Sequence, residues 1–391
     1  MSANRRDFLK LASLFALSGS LPLLQACQKN FAKQPNAPLR IGYLPITDAT
    51  PLLVAIDQQL FTKRGIEVEK PVLFRSWAQL VEAFISGQVN VIHLLSPMAI
   101  WLRYGSSSPA KIVMWNHMAG SALTVAHKVN AITDLGGQTV AIPFWYSIHN
   151  VVLQHLLREN GLSVTEKMPK NRSEVRLVVM APSDMVAALA AERISGFIVA
   201  EPFNALAETK GIGKILRFSA DIWKDHACCV TLMHDHDLEN RPEWSEKVVD
   251  ALVEAQIWSN NHRDETALLL SNQGRHQLTP HHPEILRHVL APSSQDWQHY
   301  IDLGIIKHPQ WYQERTAFQP YPFPSYLETL LSMLQKTHIA GVNQFLYQLK
   351  PQQVIEDLMA PKFVKSALEN QDAFTKFNLP RSLMREEVIA V

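Results

Sequence analysis

The chain has 391 residues, of which 37 are Lys or Arg and 36 are Asp or Glu, so its formal net charge is only +1. Near-balanced charge, with no basic block interleaved with aromatics, argues against a nucleic-acid partner. There are 3 cysteines, two of them adjacent at Cys228 and Cys229, which cannot staple distant segments into a disulfide-built fold.

The first 26 residues read as an address. Arg5 and Arg6 precede Asp7-Phe8-Leu9-Lys10, and the apolar run from Leu11 to Leu24 is broken by Ser13, Ser18, Gly19, Ser20 and Pro22. That run falls short of the roughly 20 apolar residues a spanning helix needs. A charged start, a short apolar core and a small residue before a cut site describe a secretory signal. The pattern Arg-Arg-x-Phe-Leu-Lys resembles a twin-arginine export signal, with Asn4 where Ser or Thr is usual. Leu24-Gln25-Ala26-Cys27 resembles a bacterial lipobox, in which Cys27 is lipidated and becomes the first mature residue; Gln25 is unusual there. Residues 27–38 have no apolar period and read as a tether. The expected mature protein, about 365 residues, is a periplasmic or extracytoplasmic body on a lipid anchor, long enough for two domains.

Order begins at Leu39. "LRIGYLP" reads as a strand, followed by a helix capped by Thr50 with Pro51 at its first position. "IEVE" (66–69) reads as an alternating strand. Ser76 and Gln79 have capping-box spacing ahead of "LVEAFIS", Gly87 stops that helix, and "VNVIHLL" is a buried strand. The unit recurs: "SWAQLVEAFISGQVNVIHLLSP" (76–97) parallels "SDMVAALAAERISGFIVAEP" (183–202). "NHMAGSALTVAHK" (116–128) crosses into a second unit, and "ACCVTLM" (227–233) crosses back. Helices follow over 243–271 and 325–370, with a proline- and aromatic-rich connection from "APSSQDW" to "YPFPS". Strand–helix alternation predicts parallel α/β sheets. The expected division places 39–122 and 227–391 in lobe 1 with a helical tail, and 123–226 in lobe 2. Two such sheets would turn their strand ends toward one cleft.

"IGYLPITDATPLLVAIDQQLFTKRGIEVE", "PSDMVAALAAERISGFIVAEPFNALAETKGIG" and "DIWKDH" are similar to the solute-binding proteins of nitrate/sulfonate/bicarbonate-type ABC importers. The resemblance runs from about Leu39 to Asp264 and more loosely through the helical tail. It is specific at Gly-Phe-Ile-Val-Ala-Glu-Pro-Phe-Asn (196–204), where relatives often carry Glu-Pro-Trp-Asn. It implies a type II periplasmic binding protein fold, with two parallel-sheet lobes joined by two crossover strands and a helical C-terminal tail. It further implies no catalytic residues, no cofactor, and a permease and its ATPase as partners.

The candidate ligand residues are His149, Glu201, Trp77, Thr47, Asp48 and Ser147. Ser147 is a plausible N-cap, which puts His149 in the first turn of a helix whose free N–H groups favour anions. In nitrate- and bicarbonate-binding relatives this position resembles a Thr-His-Asp segment whose histidine touches ligand. Glu201 follows a strand directly and is either a cleft group or an acceptor for backbone N–H. Trp77 opens a helix where the family contacts ligand, although core packing explains it equally. Thr47 and Asp48 end the first strand; Ser96, Phe144, Trp145 and Tyr146 are weaker candidates. Relatives that bind nitrate commonly carry His-Pro-Glu-Lys where this chain has His226-Ala227-Cys228-Cys229, so the lysine that helps an anion is missing. That departure gives ground to a sulfonate or to a thiamine-type pyrimidine. It also keeps open a pyrimidine-synthesis enzyme on the same fold, which uses a histidine or cysteine cluster. In "DHACCVTLMHDHD", His234 and His236 lack zinc-finger spacing, so no metal is expected.

The Cys27 assignment has a direct test. Cys27→Ala should move the protein from the membrane to the soluble fraction, since stable attachment needs more than one acyl chain. Unchanged membrane fractionation would refute the lipobox.

Overall fold

Two mixed sheets organise the protein in a computed structural model that describes residues 37–311 and 314–390. Arg5, Arg6 and Cys27 lie outside the described residues. The first sheet has the order β2 (Val72–Leu73), β1 (Ile41–Tyr43), β3 (Val91–Leu95), β12 (Cys229–His234), β4 (Ala110–Trp115). The second runs β11 (Lys214–Phe218), β6 (Ser121–Val125), β10 (Gly196–Ala200), β7 (Thr139–Ile142), β9 (Glu174–Val179), β8 (Ser163–Thr165). Within each, the αβ units pair in parallel, as β1 does with β2 and β3, and β7 with β9 and β10. The strands that follow the two crossings are antiparallel to their neighbours: β6 to β10 and β11, and β12 to β3 and β4. The chain therefore leaves the first sheet between Trp115 and Ser121 and returns between Phe218 and Cys229.

Most local expectations hold. β3 is buried at all five positions. Ser76 accepts from Gln79 N at 3.3 Å and starts the helix Trp77–Ile85, and Gly87 follows with φ 76°. Three expectations need correction. Thr50 does not cap its helix: its hydroxyl donates back to Thr47 O at 2.6 Å, and the N-cap position is Ala49. "IEVE" makes only a single bridge, Val68 to Leu39, and pairing resumes at β2. Pro71 stands between and has no N–H to give the ladder. The stretch expected as a connection after "APSSQDW" contains the helix Ser294–Asp302, with a complete capping box from Ser293 and Asp296, and β13 (Thr316–Ala317), which pairs with β5 (Met118–Ala119).

The tail packs on both lobes rather than on the first alone. Tyr300 sets its ring edge-on to Phe218 at 4.9 Å. Gln154 and Asn150, on the second-lobe helix Ile148–Glu159, donate to His338 O at 2.8 and 3.4 Å. Met359 bridges to Ile112, and Ile389 to Trp223.

The strongest of these ties is buried. Arg315 donates from Nε to Glu201 Oε1 at 2.7 Å, from Nη1 to Tyr300 OH at 3.1 Å, and from Nη2 to Glu208 Oε2 at 3.1 Å. Both Arg315 and Glu201 are withdrawn from solvent. Removing one member of a buried ion pair strands the other, at a cost of about 3–5 kcal/mol. Arg315→Ala should therefore lower the unfolding free energy from denaturant titration by an amount in that range, with a lower midpoint, and Arg315→Met with Glu201→Gln should recover part of it. Equal midpoints for Arg315→Ala and wild type would show that the pair is not a fastening.

Candidate functional site

Four segments converge where the chain crosses between lobes. β1 runs into the turn Thr47–Ala49, which carries Asp48. The first crossing brings Asn116, His117 and Ser121; the second brings His226, Cys228 and Cys229; the second lobe contributes His149. All of these side chains are buried.

The geometry is close-knit. Asp48 Oδ2 lies 2.8 Å from His117 Nε2. His149 Nε2 lies 2.9 Å from Ser121 Oγ and 3.7 Å from Cys228 Sγ. His226 Nε2 sits 2.8 Å from Ser219 Oγ, which donates to Ser121 O at 3.0 Å. Asn116 fixes the turn by donating to Asp48 O at 2.9 Å, and Thr231 donates to Asn116 Oδ1 at 2.5 Å.

Charge inside the cluster is set by its own members. Burial alone would push the Asp48 carboxyl up, but the His117 imidazolium overrides it and holds the carboxyl well below the usual carboxylate range. Burial likewise works against a charged His117, yet Asp48 raises it to about 10. Burial would raise the Cys228 thiol, and hydrogen bonding from Cys229, with His149 and His117 nearby, lowers it instead, while Cys229 is pushed up. His226, buried among neighbours that include His149 and His117, falls to about 3 and is neutral.

Each expected residue now has a place. Ser147 is the N-cap of the helix Ile148–Glu159: it accepts from Asn150 N at 3.1 Å and donates to Phe144 O at 2.7 Å, so its hydroxyl is occupied locally. His149 sits in the first turn as expected, and its Nδ1 is buried without a hydrogen-bond partner. Trp77 is buried, its Nε1 equally unpartnered, and its ring meets His93 edge-on at 5.5 Å. Thr47 turns toward the other lobe, donating from N and Oγ1 to Glu201 O at 2.9 and 3.2 Å. The Glu201 carboxylate is taken up by Arg315 and by Ala205 N at 3.1 Å, which is the structural-acceptor role. Ser96 is paired with Tyr326 at 2.7 Å, while Tyr146 donates to Val342 O of the tail at 2.6 Å.

His93, His117 and Ser121 were not anticipated. Their only sequence signal is polarity inside otherwise apolar stretches, "VIHLL" and "NHMAGSALTV". The expectation that no metal-ligating group would form, argued from His234 and His236, misses Asp48, His117 and Cys228: one ligand atom from each lies within 4.8 Å of the others. His234 instead stacks on Phe84 and approaches its carbonyl at 3.0 Å.

The NMT1-like family model matches residues 32–271. The nitrate/nitrite binding protein NrtA of Nostoc sp. is 25% identical over 258 residues, covering 61% of this chain and 57% of that protein. The match therefore spans little more than half the length of that relative. The periplasmic nitrate-binding protein NrtA from Synechocystis PCC 6803 superposes with a TM-score of 0.70 at 18% identity, covering 90% of this chain and 93% of that one. The zinc-bound ligand-binding component of an ABC-type import system from Staphylococcus aureus superposes at 0.64 with 21% identity, covering 84% and 98%. At such identities the likeness establishes the fold, which is the expected two-lobed periplasmic binding architecture.

His93 supplies a pH test of the junction. Its Nε2 accepts from Leu44 N at 2.9 Å, so the neutral ring carries its proton on Nδ1. Burial lowers its pKa from 6.5 to about 4. The unfolded chain gains this proton as pH falls below 6.5 and the folded chain does not. The stability involved is thus complete above pH 6.5 and lost as pH falls toward 4, on the order of 3 kcal/mol. In His93→Gln, urea-derived stability should fall less steeply over that window, by about one proton's worth of slope. An unchanged slope would contradict a neutral buried His93.

Proposed function

Because the chain belongs to the NMT1-like family, we propose that it is the extracytoplasmic solute-binding component of an ABC importer. In this reading it is exported by the twin-arginine route and tethered through Cys27. It captures a small polar solute between its two lobes and delivers it to a permease driven by an ATPase, without catalysis. Among the described residues no helix is long and apolar enough to cross a membrane, which is compatible with attachment through the anchor.

The observation that carries this reading is the set of buried, unpartnered polar atoms contributed by both lobes: Trp77 Nε1 from the first and His149 Nδ1 from the second. A buried polar atom left without a partner costs about 1–3 kcal/mol, which a solute closing between the lobes would recover. In this reading Thr47, which reaches Glu201 of the second lobe, and Asp48 beside it would also face the solute, while Ser147 orients the His149 helix. Glu201 is assigned to the scaffold.

The relatives' names suggest nitrate, and the wider family resemblance suggests bicarbonate or a sulfonate. A second reading rests on Asp48. Paired with His117, the Asp48 carboxylate leaves no net positive charge for an anion and its second oxygen can accept from a neutral or cationic solute, which favours a thiamine-type pyrimidine. The pyrimidine-synthesis enzyme on this fold would draw on Cys228 and Cys229, and it predicts turnover where a binding protein shows none.

A thermal-shift panel of nitrate, bicarbonate, an alkanesulfonate and an aminopyrimidine separates these readings, because a ligand that binds only the folded state raises the melting temperature. With the compound that shifts it, His149→Ala and Trp77→Ala should bind roughly ten- to a hundredfold more weakly. Glu201→Ala should instead be destabilised without ligand. Normal binding by both His149→Ala and Trp77→Ala would place the solute elsewhere.

A further inference from the structure

We propose that Asp48, His117 and Cys228 form a binding site for one divalent transition-metal ion of the zinc class. The three come from separate segments: the turn after β1, the first crossing and the second crossing. They offer a carboxylate oxygen, an imidazole nitrogen and a thiol sulfur, all within 4.8 Å of one another. All three side chains are buried, so the ion would sit in a dry pocket and not on a solvated acidic surface.

Two further observations point to a ligand. Asp48 Oδ1 is cut off from water and takes part in no hydrogen bond, and Asp48 Oδ2 has only His117 as its partner. Asp48 Oδ2 and His117 Nε2 face each other at 2.8 Å and share one proton, so its loss would leave both atoms' lone pairs converging. The other ring nitrogen of His117 is engaged: Nδ1 lies 3.3 Å from Met118 O, and a proton kept there makes Nε2 the lone pair offered to an ion once the shared proton leaves. A metal-bound histidine is ordinarily oriented in this way, its far N–H given to a carbonyl or carboxylate. Asp48 is held likewise, through its backbone carbonyl, by Asn116 at 2.9 Å.

The donor set selects the ion. Calcium and magnesium take oxygen ligands, whereas thiolate with imidazole suits zinc and its neighbours in the first transition row. Tetrahedral zinc with bonds of about 2.0–2.3 Å holds its ligand atoms about 3.3–3.7 Å apart. The separation of Asp48 from His117, 2.8 Å, is shorter than that edge and none exceeds 4.8 Å, so the ligand atoms already surround a space of the right size. On binding, the Cys228 thiol proton and the proton shared between Asp48 and His117 pass to solvent. The fourth corner is left for water or solute. The site does not depend on the transport reading, since the same three side chains would hold the ion in a protein with another role.

The test uses the full exported chain, stripped with a chelator and titrated with cobalt(II) as a coloured substitute for zinc. One equivalent should produce a near-ultraviolet thiolate-to-cobalt band together with the visible bands of a four-coordinate ion, and zinc should bleach both. Cys228→Ser should lose the thiolate band, while Cys229→Ser keeps it. Asp48→Asn and His117→Gln should each bind cobalt at least tenfold more weakly. These substitutions are close in shape to the native residues, and circular dichroism of the stripped proteins establishes that they are folded. No thiolate band in the folded wild-type protein would overturn the proposal, as would a band that survives Cys228→Ser. Because the readout is the metal's own spectrum, it stands or falls separately from solute binding.

Discussion

Glu201 is the point on which the two lobes and the tail are fastened together. Its carbonyl receives Thr47 N and Oγ1 from the first lobe, and its N–H donates to Gly120 O of the first crossing at 2.9 Å. Its carboxylate holds Arg315 of the tail. Gly120 has φ 72°, and its N–H donates to Arg315 O at 3.1 Å. A side chain at Gly120 would meet Thr316 Oγ1 at 2.9 Å, so this crossing tolerates only glycine at the closest approach. One residue thereby sets the spacing of three parts of the protein, and the polar cluster is built against that spacing.

The cluster beside it is arranged differently. Around Arg315 every charge meets an opposite charge and further hydrogen bonds, which is what burial demands. Around Asp48 compensation is partial. The Asp48–His117 pair neutralises itself, but His149 Nδ1, His226 Nδ1, His93 Nδ1 and Trp77 Nε1 are left buried without partners. Natural interiors hold few such groups, and those they hold mark places where something else completes the structure. The two polar nests differ in this: one is closed by its own charges, and the other keeps unpartnered atoms.

What the sequence disclosed follows from range. The Ser147 cap and the position of His149 were legible because a cap and the first turn after it are three residues apart. The same is true of Ser76 with Gln79, and of the alternation of apolar strands with helices. Glu201 was legible as a strand-end carboxylate with a cleft role and an acceptor role both open, but its charged partner was not, because Arg315 lies 114 residues further on in a stretch with no periodic pattern. Asp48 was expected at the end of the first strand, whereas the strand ends at Tyr43 and Asp48 lies in the turn Thr47–Ala49 beyond it. Its partners His117 and Cys228 belong to two crossings whose meeting no local pattern encodes. The helix after Ser293 is a different kind of miss: Ser293 and Asp296 carried a capping box in plain view, outweighed by the prolines and aromatics around it.

The place of β12 in the first sheet governs the order in which the chain can be built. The strands of the second sheet form one uninterrupted run, from Ser121 to Phe218, and need nothing outside it to complete their ladder. The first sheet is split, because β12 lies between β3 and β4 and is hydrogen-bonded to both. Until residue 234 has emerged from the ribosome, two all but fully buried strands have a vacant slot between them. The N-terminal lobe is therefore the later one to close, and a nascent chain presents a template for a stray strand for as long as its second lobe is being made.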